Sequence, residues 1–405
     1  MFCRWFPEVA GHLRPPNLDT KPPACEPVLV RAHAGDKGGS QAGASKPGSA
    51  LSFATSRCMM THPVLSPAPA LPAQGGELGM LVRACASVSV LLLCASLAAA
   101  TGGREASTVP SDLPEGNGIA ANHPADQGIE KDPAVVFADG FEDCSSPADL
   151  RARWDWLIHD GNMRIAQEPD SVHAGKRALE LTVPQQSAPL AIAVDKQLGE
   201  ERDVLFLRWY SKFDKDFAVG RSSVHNGGSI SSRYFPGGQA TPGIRADGRN
   251  KFLANYENEN STGSSPGALN IYCYHPEQGG SFGDHFYPSG RVIPGSEVRS
   301  GAATFGPSFV ARPEVFPESG RWYCYEFMVK ANTPGLHDGR IACWLDGKLV
   351  SDFPNLRFRS VEDLKPNHVI IVAHSSSVRP NQTWWYDDIV AATSYIGPQA
   401  PVGSK

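Results

Sequence analysis

The sequence predicts an all-β protein, a jelly-roll β-sandwich with long loops, on three observations. The apolar runs after residue 133 are short, aromatic and β-branched. Gly, Pro, Asn and Asp fall between them, where the chain must reverse. No stretch repeats its apolar residues at helical spacing, and no internal repeat is present. Residues 135–137, Val-Val-Phe, open the series. Residues 178–183 alternate as Ala-Leu-Glu-Leu-Thr-Val, the pattern of a strand with one buried face. Residues 204–213 and 269–274 are aromatic-rich strands. Residues 322–329 and 341–345 make a hairpin pair, and Asp346-Gly347 makes the next tight turn. Residues 369–373 and 384–391 close the series. Residues 220–249 read as a loop too long for a simple connection, and such insertions carry function.

The chain has 405 residues, 20% of them charged, and a formal charge of -5. That composition excludes collagen, a coiled coil and a disulfide-dense mini-protein. It also excludes a bulk nucleic-acid binder. The one strongly apolar run, residues 88–100, follows Met80-Leu81-Val82-Arg83 and ends in Ala98-Ala99-Ala100. A basic start, a short apolar middle and a small-residue end make a signal peptide over residues 80–100. Residues 1–79 hold 11 prolines and read as a mis-annotated or disordered leader. Residues 101–133 read as a flexible linker, and residues 134–400 as the folded domain. These features predict a secreted or periplasmic monomer with no membrane contact after cleavage. Cys144, Cys273, Cys324 and Cys343 follow the signal, and an even count permits two disulfides. Cys324 and Cys343 flank the predicted hairpin and are the pair to test.

Three features carry chemistry. Arg208, Lys212, Lys215, Arg221, Arg233, Arg245, Arg249 and Lys251 meet only Asp214, Asp216 and Asp247 in the same segment. A basic patch on an acidic chain fits an anionic ligand. Tyr256, Tyr272, Tyr274, Phe282, Phe286 and Tyr287 lie close to Asn255, Asn258, Asn260 and Gln278. Flat aromatic faces with planar amides suit sugars, though strand alternation sends about half of such rings into a core. Tyr272 and Tyr274 are two apart on a strand and share one face, with His225 and Asn255 as neighbours in a cleft. Phenols exchange protons when their surroundings shift the pKa from about 10.

Carboxylates are less ordered in the sequence. Glu257 and Glu326 are the acids available for glycoside hydrolysis. Asp139, Glu142, Asp387 and Asp388 sit near the two ends of the domain, where first and last strands meet. They are the candidate ligands of a structural calcium, and no cofactor is otherwise required.

Several segments resemble concanavalin A-like jelly rolls, and among them polysaccharide lyase family 14 and related alginate and glucuronan lyases. They are Phe137-Ala138-Asp139-Gly140-Phe141-Glu142, His173-Ala174-Gly175-Lys176-Arg177-Ala178-Leu179, Gly320-Arg321-Trp322-Tyr323-Cys324-Tyr325-Glu326 and Trp385-Tyr386-Asp387-Asp388-Ile389-Val390. Asn332, Asp338-Gly339, Trp344-Leu345-Asp346-Gly347 and Tyr395-Ile396-Gly397 extend it to residues 135–398. The resemblance implies β-elimination on a uronate-containing polysaccharide. Tyr272 and Tyr274 match that family's Tyr-x-Tyr strand, and His225-Asn226-Gly227-Gly228 stands where the family has a lysine and a Gly-rich loop. The family's Ser-x-Arg strand has no clean match; residues 251–257 offer Asn255 and Tyr256 instead.

In that reading Tyr274, Tyr272, His225 and Asn255 are catalytic, with Tyr274 or His225 as base and Tyr272 or Tyr274 as acid. Arg233, Arg245, Arg249, Tyr256 and Gln278 bind an anionic chain, one of the arginines joining Asn255 on the uronate carboxylate. The alternatives are a non-catalytic carbohydrate-binding module or lectin, and a glycoside hydrolase using Glu257 and Glu326.

Overall fold

Strand alternation builds this molecule, because nearly every strand has one face that must leave water. The computed structural model describes residues 112–186, 188–218, 224–234, 242–259, 265–295, 305–375 and 381–401, all in one compact unit. The expected leader (residues 1–79) and signal peptide (residues 80–100), as well as Arg221, lie outside the described residues. Among the described residues, no helix is long and apolar enough to cross a membrane.

Two antiparallel sheets face each other, giving the all-β sandwich of the jelly-roll class. The first contains β1 (Val135–Asp139), β3 (Met163–Ala166), β4 (Ala178–Val183), β6 (Val204–Phe213), β12 (Tyr323–Lys330), β13 (Gly339–Leu345), β14 (Lys348–Leu356) and β16 (Gln382–Ala392). Its order is β14-β13-β12-β6-β16-β4-β3, with β1 paired to β16. The second contains β2 (Trp156–Ile158), β5 (Leu190–Gln197), β7 (Val224–Ser232), β8 (Phe252–Glu259), β9 (Ala268–Tyr274), β10 (Asp284–Phe286), β11 (Val292–Ile293) and β15 (His368–Ser375). Its order is β11-β10-β9-β8-β7-β15-β5-β2.

The core lies between the sheets. Leu207 and Trp209 of β6, with Tyr325 and Phe327 of β12, meet Ala254 and Tyr256 of β8 and Ile371 of β15. Trp209 stacks on Tyr325 with ring centroids 5.5 Å apart. Each large apolar side chain buried here contributes about 1.5–3 kcal/mol. A bulge at Asp387 and Asp388 resets the alternation of β16, so that Trp384, Tyr386, Ile389 and Ala391 all point inward.

The stretch read as one loop over residues 220–249 contains a central strand, β7. Its polar sequence, Val-His-Asn-Gly-Gly-Ser-Ile-Ser-Ser, hides it from any apolar pattern. The glycines are there because Trp209 packs directly against this strand. A Cβ on Gly228 would stand 2.7 Å from the indole, and one on Gly227, with φ +92°, would stand 2.2 Å from the Tyr256 carbonyl oxygen.

Residues 112–133 are not a flexible linker. Three short 3₁₀ turns, Ile119–Asn122, Pro124–Asp126 and Ile129–Lys131, pack on the outer face of the first sheet. Ala120 and Ile129 are buried there against Phe206, Trp344 and Ile396. Ile119 and Ala120 donate to the carbonyls of Tyr395 and Ile396 at 3.2 and 2.9 Å, and the Trp344 indole donates to Pro114 O at 2.7 Å. Asp126 pairs with the fully buried Arg208.

Among the described residues the four cysteines, Cys144, Cys273, Cys324 and Cys343, are buried and free. Cys324 and Cys343 do not form the expected pair because they project from opposite faces. Cys343 joins the core, whereas Cys324 lies on the face that carries Glu326 and Met328.

Candidate functional site

The outer face of the second sheet carries the chemistry. On β8, Ala254 and Tyr256 enter the core, so Asn255 and Glu257 point outward. On β9, Ile271 and Cys273 enter the core, so Tyr272 and Tyr274 point outward. His225 of β7 lies opposite His374 of β15, and His285 of β10 lies opposite Tyr272.

These side chains form one network. His225 Nδ1 lies 3.1 and 3.0 Å from the two Glu257 carboxylate oxygens. The Asn255 amide donates to Glu257 Oε2 and, at 3.2 Å, to Asn226 O, while its oxygen accepts from Ser229 Oγ at 2.7 Å. His285 Nδ1 lies 2.9 Å from Asn270 Oδ1 and 3.5 Å from Glu257 Oε1. Burial pushes His225 down to about 4 and drives Glu257 well above its ordinary value. Both groups are therefore pressed toward their uncharged forms, and one proton shared between them satisfies the contact.

The tyrosines form the second part. Tyr272 donates its hydroxyl to the Tyr274 hydroxyl oxygen at 3.3 Å, and Gly243 N–H donates to the same oxygen at 3.3 Å. Gly283 N–H donates to the Tyr272 oxygen at 3.1 Å. Burial raises the Tyr274 phenol, and these donors, with the Tyr234 hydroxyl, pull it back. Lys251 Nζ stands 4.2 Å from the Tyr274 ring centroid and 4.7 Å from that of Tyr234, and burial lowers it to about 7. The His225 ring lies 4.4 Å from the Tyr272 ring, which joins the two parts. The site is closed over: Tyr272, Tyr274, His225 and Asn255 are all buried, and Tyr234 and Ala246 pack over the tyrosines.

Tyr272, Tyr274, His225 and Asn255 thus come together as expected, but Asn255 holds Glu257 rather than facing a ligand. The three arginines do not join them. Arg233 donates to Arg249 O at 2.8 Å and to Asp363 Oδ2 at 2.9 Å, and the exposed Arg245 donates to Pro276 O at 2.9 Å. Arg249 is exposed, and its backbone N–H caps Asp247. Tyr256 faces the core against Trp209, so it binds no sugar. Gln278 is spent inside its loop, accepting from His275 N–H and donating to Gly280 O and Phe282 O.

Glu326 lies on the outer face of the opposite sheet, where it accepts from Ile396 and Gly397 N–H at 2.7 and 2.8 Å. It cannot act with Glu257, which removes the expected hydrolase pair. Lys251, Glu257, His285 and His374 complete the face without having been assigned to this cluster. The signal that was available is parity: Glu257 on β8, and Lys251 one residue before that strand, share the odd positions of Asn255.

The four proposed calcium ligands do not fit an ion. Asp139 accepts from Phe141 N–H and the Trp154 indole, and Glu142 accepts from Lys176 and Arg177 N–H. Asp387 accepts from His173 and Ala174 N–H, and Asp388 lies 2.8 Å from His173 Nδ1. Among the described residues no three His, Cys, Asp or Glu side chains are arranged to hold a metal. An open groove of about 440 Å³ lies elsewhere, between Lys330, Arg340, Asp352 and Asn355, and there Arg340 is already paired with Asp352 at 2.7 Å.

No protein-family model and no curated protein matches the chain. Solved structures do. The endo-β-1,4-glucuronan lyase of Trichoderma reesei is similar at 14% identity and a TM-score of 0.41, over 64% of this chain and 95% of its own. The PL-14 alginate lyase of Aplysia kurodai is similar at 14% identity and 0.44, over 64% and 99%. A Chlorella virus alginate lyase is similar at 14% identity and 0.43, over 64% and 99%. At these identities the likeness is one of fold.

Proposed function

We propose that this protein is an exported polysaccharide lyase that cleaves a uronate-containing chain by β-elimination. The observation that carries the reading is the crowding of donors around the Tyr274 oxygen, beside a histidine held by a carboxylate. In the neutral range His225 lacks its second proton and Tyr274 keeps its own, the forms a base and an acid need.

His225 takes the C5 proton of the uronate. The electron pair left behind forms the C4=C5 double bond as the C4–O4 bond breaks. Tyr274 gives its proton to the departing O4. The phenolate that remains is held by Tyr272, Tyr234 and Gly243 N–H, an arrangement that stabilises charge where it develops. Glu257, fixed by Asn255, keeps His225 in one tautomer through the proton the two share. Lys251, next to Tyr274, faces the uronate carboxylate. The proton on His225 then returns to Tyr274 through solvent.

The test is a depolymerisation screen of residues 101–405 on alginate, glucuronan, other uronate polymers and neutral glucans. Ultraviolet absorbance of the new double bond and release of reducing ends are followed together. Both signals rising, and both lost in Tyr274→Phe with folding retained, is the expected result. Reducing ends without absorbance would show hydrolysis. Silence in both signals with retained polymer binding would show a lectin-like module.

A further inference from the structure

A row of residues in register crosses the outer face of the second sheet from β10 to β2. Strand register pairs His285 with Tyr272, Tyr272 with Asn255, and Asn255 with Ser229. It continues from Ser229 to Ile370, from Ile370 to Asp195, and from Asp195 to Trp156. Adjacent strands lie about 4.8 Å apart, so these six steps span about 29 Å. The groups assigned to the reaction occupy one end, on β7 to β9. The other end, on β5 and β2, has no role in that chemistry.

Asp195 is the anomaly at that end. It is 1% exposed, and its Oδ1 has no hydrogen-bond partner among the described residues. A buried polar atom without a partner costs stability, so an arrangement that keeps one needs a reason. Ala193, Ile370 and Val372 surround it with small or apolar groups on the same face. Trp156, partly exposed, stands next to it in register, with its ring 5.9 Å from that of His368. A half-exposed indole beside an unmet hydrogen-bonding group is the pairing that recognises a sugar ring and its hydroxyls. Burial and the nearby Asp155 carboxylate raise Asp195 to about 8, so at neutral pH it meets an anionic chain as a neutral acid.

We propose that Trp156 and Asp195 form a distal sugar subsite, and that the substrate lies across the strands along this row. The inference rests on the lyase reading for its substrate class, while the track itself is defined by the register. A chain held at both ends must be several sugars long, so the enzyme discriminates by length.

The test compares wild type with Trp156→Ala and Asp195→Leu on purified oligouronates of increasing length and on neutral oligoglucans. Leucine has the branching of aspartate and leaves no unmet polar atom, and circular dichroism with the activity on the shortest oligomer checks that this variant keeps the fold. Each variant is expected to lower kcat/KM on the longest chains about tenfold and to leave the shortest cleaved oligomer unchanged. Calorimetric binding of the same oligomers, repeated in a Tyr274→Phe background, reads the subsite without catalysis. An equal loss at every length, or none at any length, overturns the subsite even when absorbance shows lyase activity. Length-dependent loss of binding without any absorbance supports the subsite and overturns the lyase reading. Absence of binding to every oligomer overturns both.

Discussion

The hydroxyl of Tyr272 points its hydrogen at the oxygen of Tyr274, 3.3 Å away, so the two phenols of one strand are not equivalent. Tyr274 collects hydrogen bonds, while Tyr272 passes one on from Gly283 N–H. Replacing Tyr274 with phenylalanine removes the acid, and kcat is expected to fall by about 10²–10⁴. Tyr272→Phe removes only a donor that lowers the Tyr274 pKa. That variant is expected to stay active at a rate about tenfold lower, the effect of losing one such donor bond. The alkaline limb of its pH–rate profile should move upward, because Tyr274 then holds its proton more tightly. A profile that does not move removes Tyr272 from this role.

His225 must be unprotonated to accept the C5 proton. Burial pushes it down to about 4, so the acid limb of kcat should lie near there rather than in the ordinary imidazole range. Glu257→Gln loses the shared proton that fixes the ring tautomer and should cost about 10²–10⁴ in kcat with the fold retained. By contrast Glu326→Gln should leave the rate unchanged, since Glu326 holds the backbone of Ile396 and Gly397 on the other sheet. Rates followed by absorbance, with circular dichroism as the folding control, decide all three.

Asp195 gives a stability prediction of opposite sign to an ordinary salt-bridged carboxylate. Its folded-state value is about 8 and its unfolded value about 3.8. Between those values the native chain holds a proton that the unfolded chain has released, so stability falls as pH rises through the window. The contribution is whole below the unfolded value and is lost by about pH 8. Asp155 and His368 are the titratable neighbours on this edge. Asp195→Asn removes the dependence. The difference in Tm, variant minus wild type, should therefore grow from pH 4 to pH 9, and a constant difference would contradict the assignment.

Asp126 is the partner of Arg208, whose side chain is 0% exposed. Arg208 Nε and Nη1 have no hydrogen bond among the described residues; Asp126 is its hydrogen-bonded ion-pair partner, with the Tyr210 ring 5.4 Å away and Glu326 next to it in register. Asp126→Ala should cost about 3–5 kcal/mol, because it strands a buried cation. Arg208→Met combined with Asp126→Leu should recover most of that loss. Urea denaturation of the single and double variants measures both.

The fold was legible because its apolar strands obey period two. β4 and β6 have the bounds that alternation predicts, and β12, β15 and β16 differ by one or two residues at their ends. β7 was not legible, since its strand character comes from Trp209 packing on two glycines rather than from its own side chains. The segment at residues 112–131, a strap across the first sheet, was missed for a related reason: its anchors are backbone groups, two apolar contacts and the Asp126–Arg208 pair, none of which makes a periodic pattern. At the site, Tyr272, Tyr274, His225 and Asn255 could be grouped from strand parity and resemblance. The arginines could not be placed, because long side chains on loops find local carbonyls and carboxylates that no one-dimensional pattern shows. Lys251 was named only as one charge of the basic stretch, and only the fold sets it beside Tyr274.

The four buried thiols give the folded protein an internal clock. Burial raises Cys144 to about 11 and lifts Cys273, Cys324 and Cys343 as well, so none offers a thiolate to an alkylating reagent while the sandwich is closed. Each sits in a different packing environment: Cys273 and Cys343 in the two facing sheets, Cys324 on the outer face of the first sheet beside Tyr210 and Arg208, Cys144 beside Leu150 and Trp154. Modification by a thiol reagent then counts openings, site by site. Reaction at Cys324 ahead of the other three would time the opening of the outer face of the first sheet, and simultaneous reaction at all four would time the parting of the sheets.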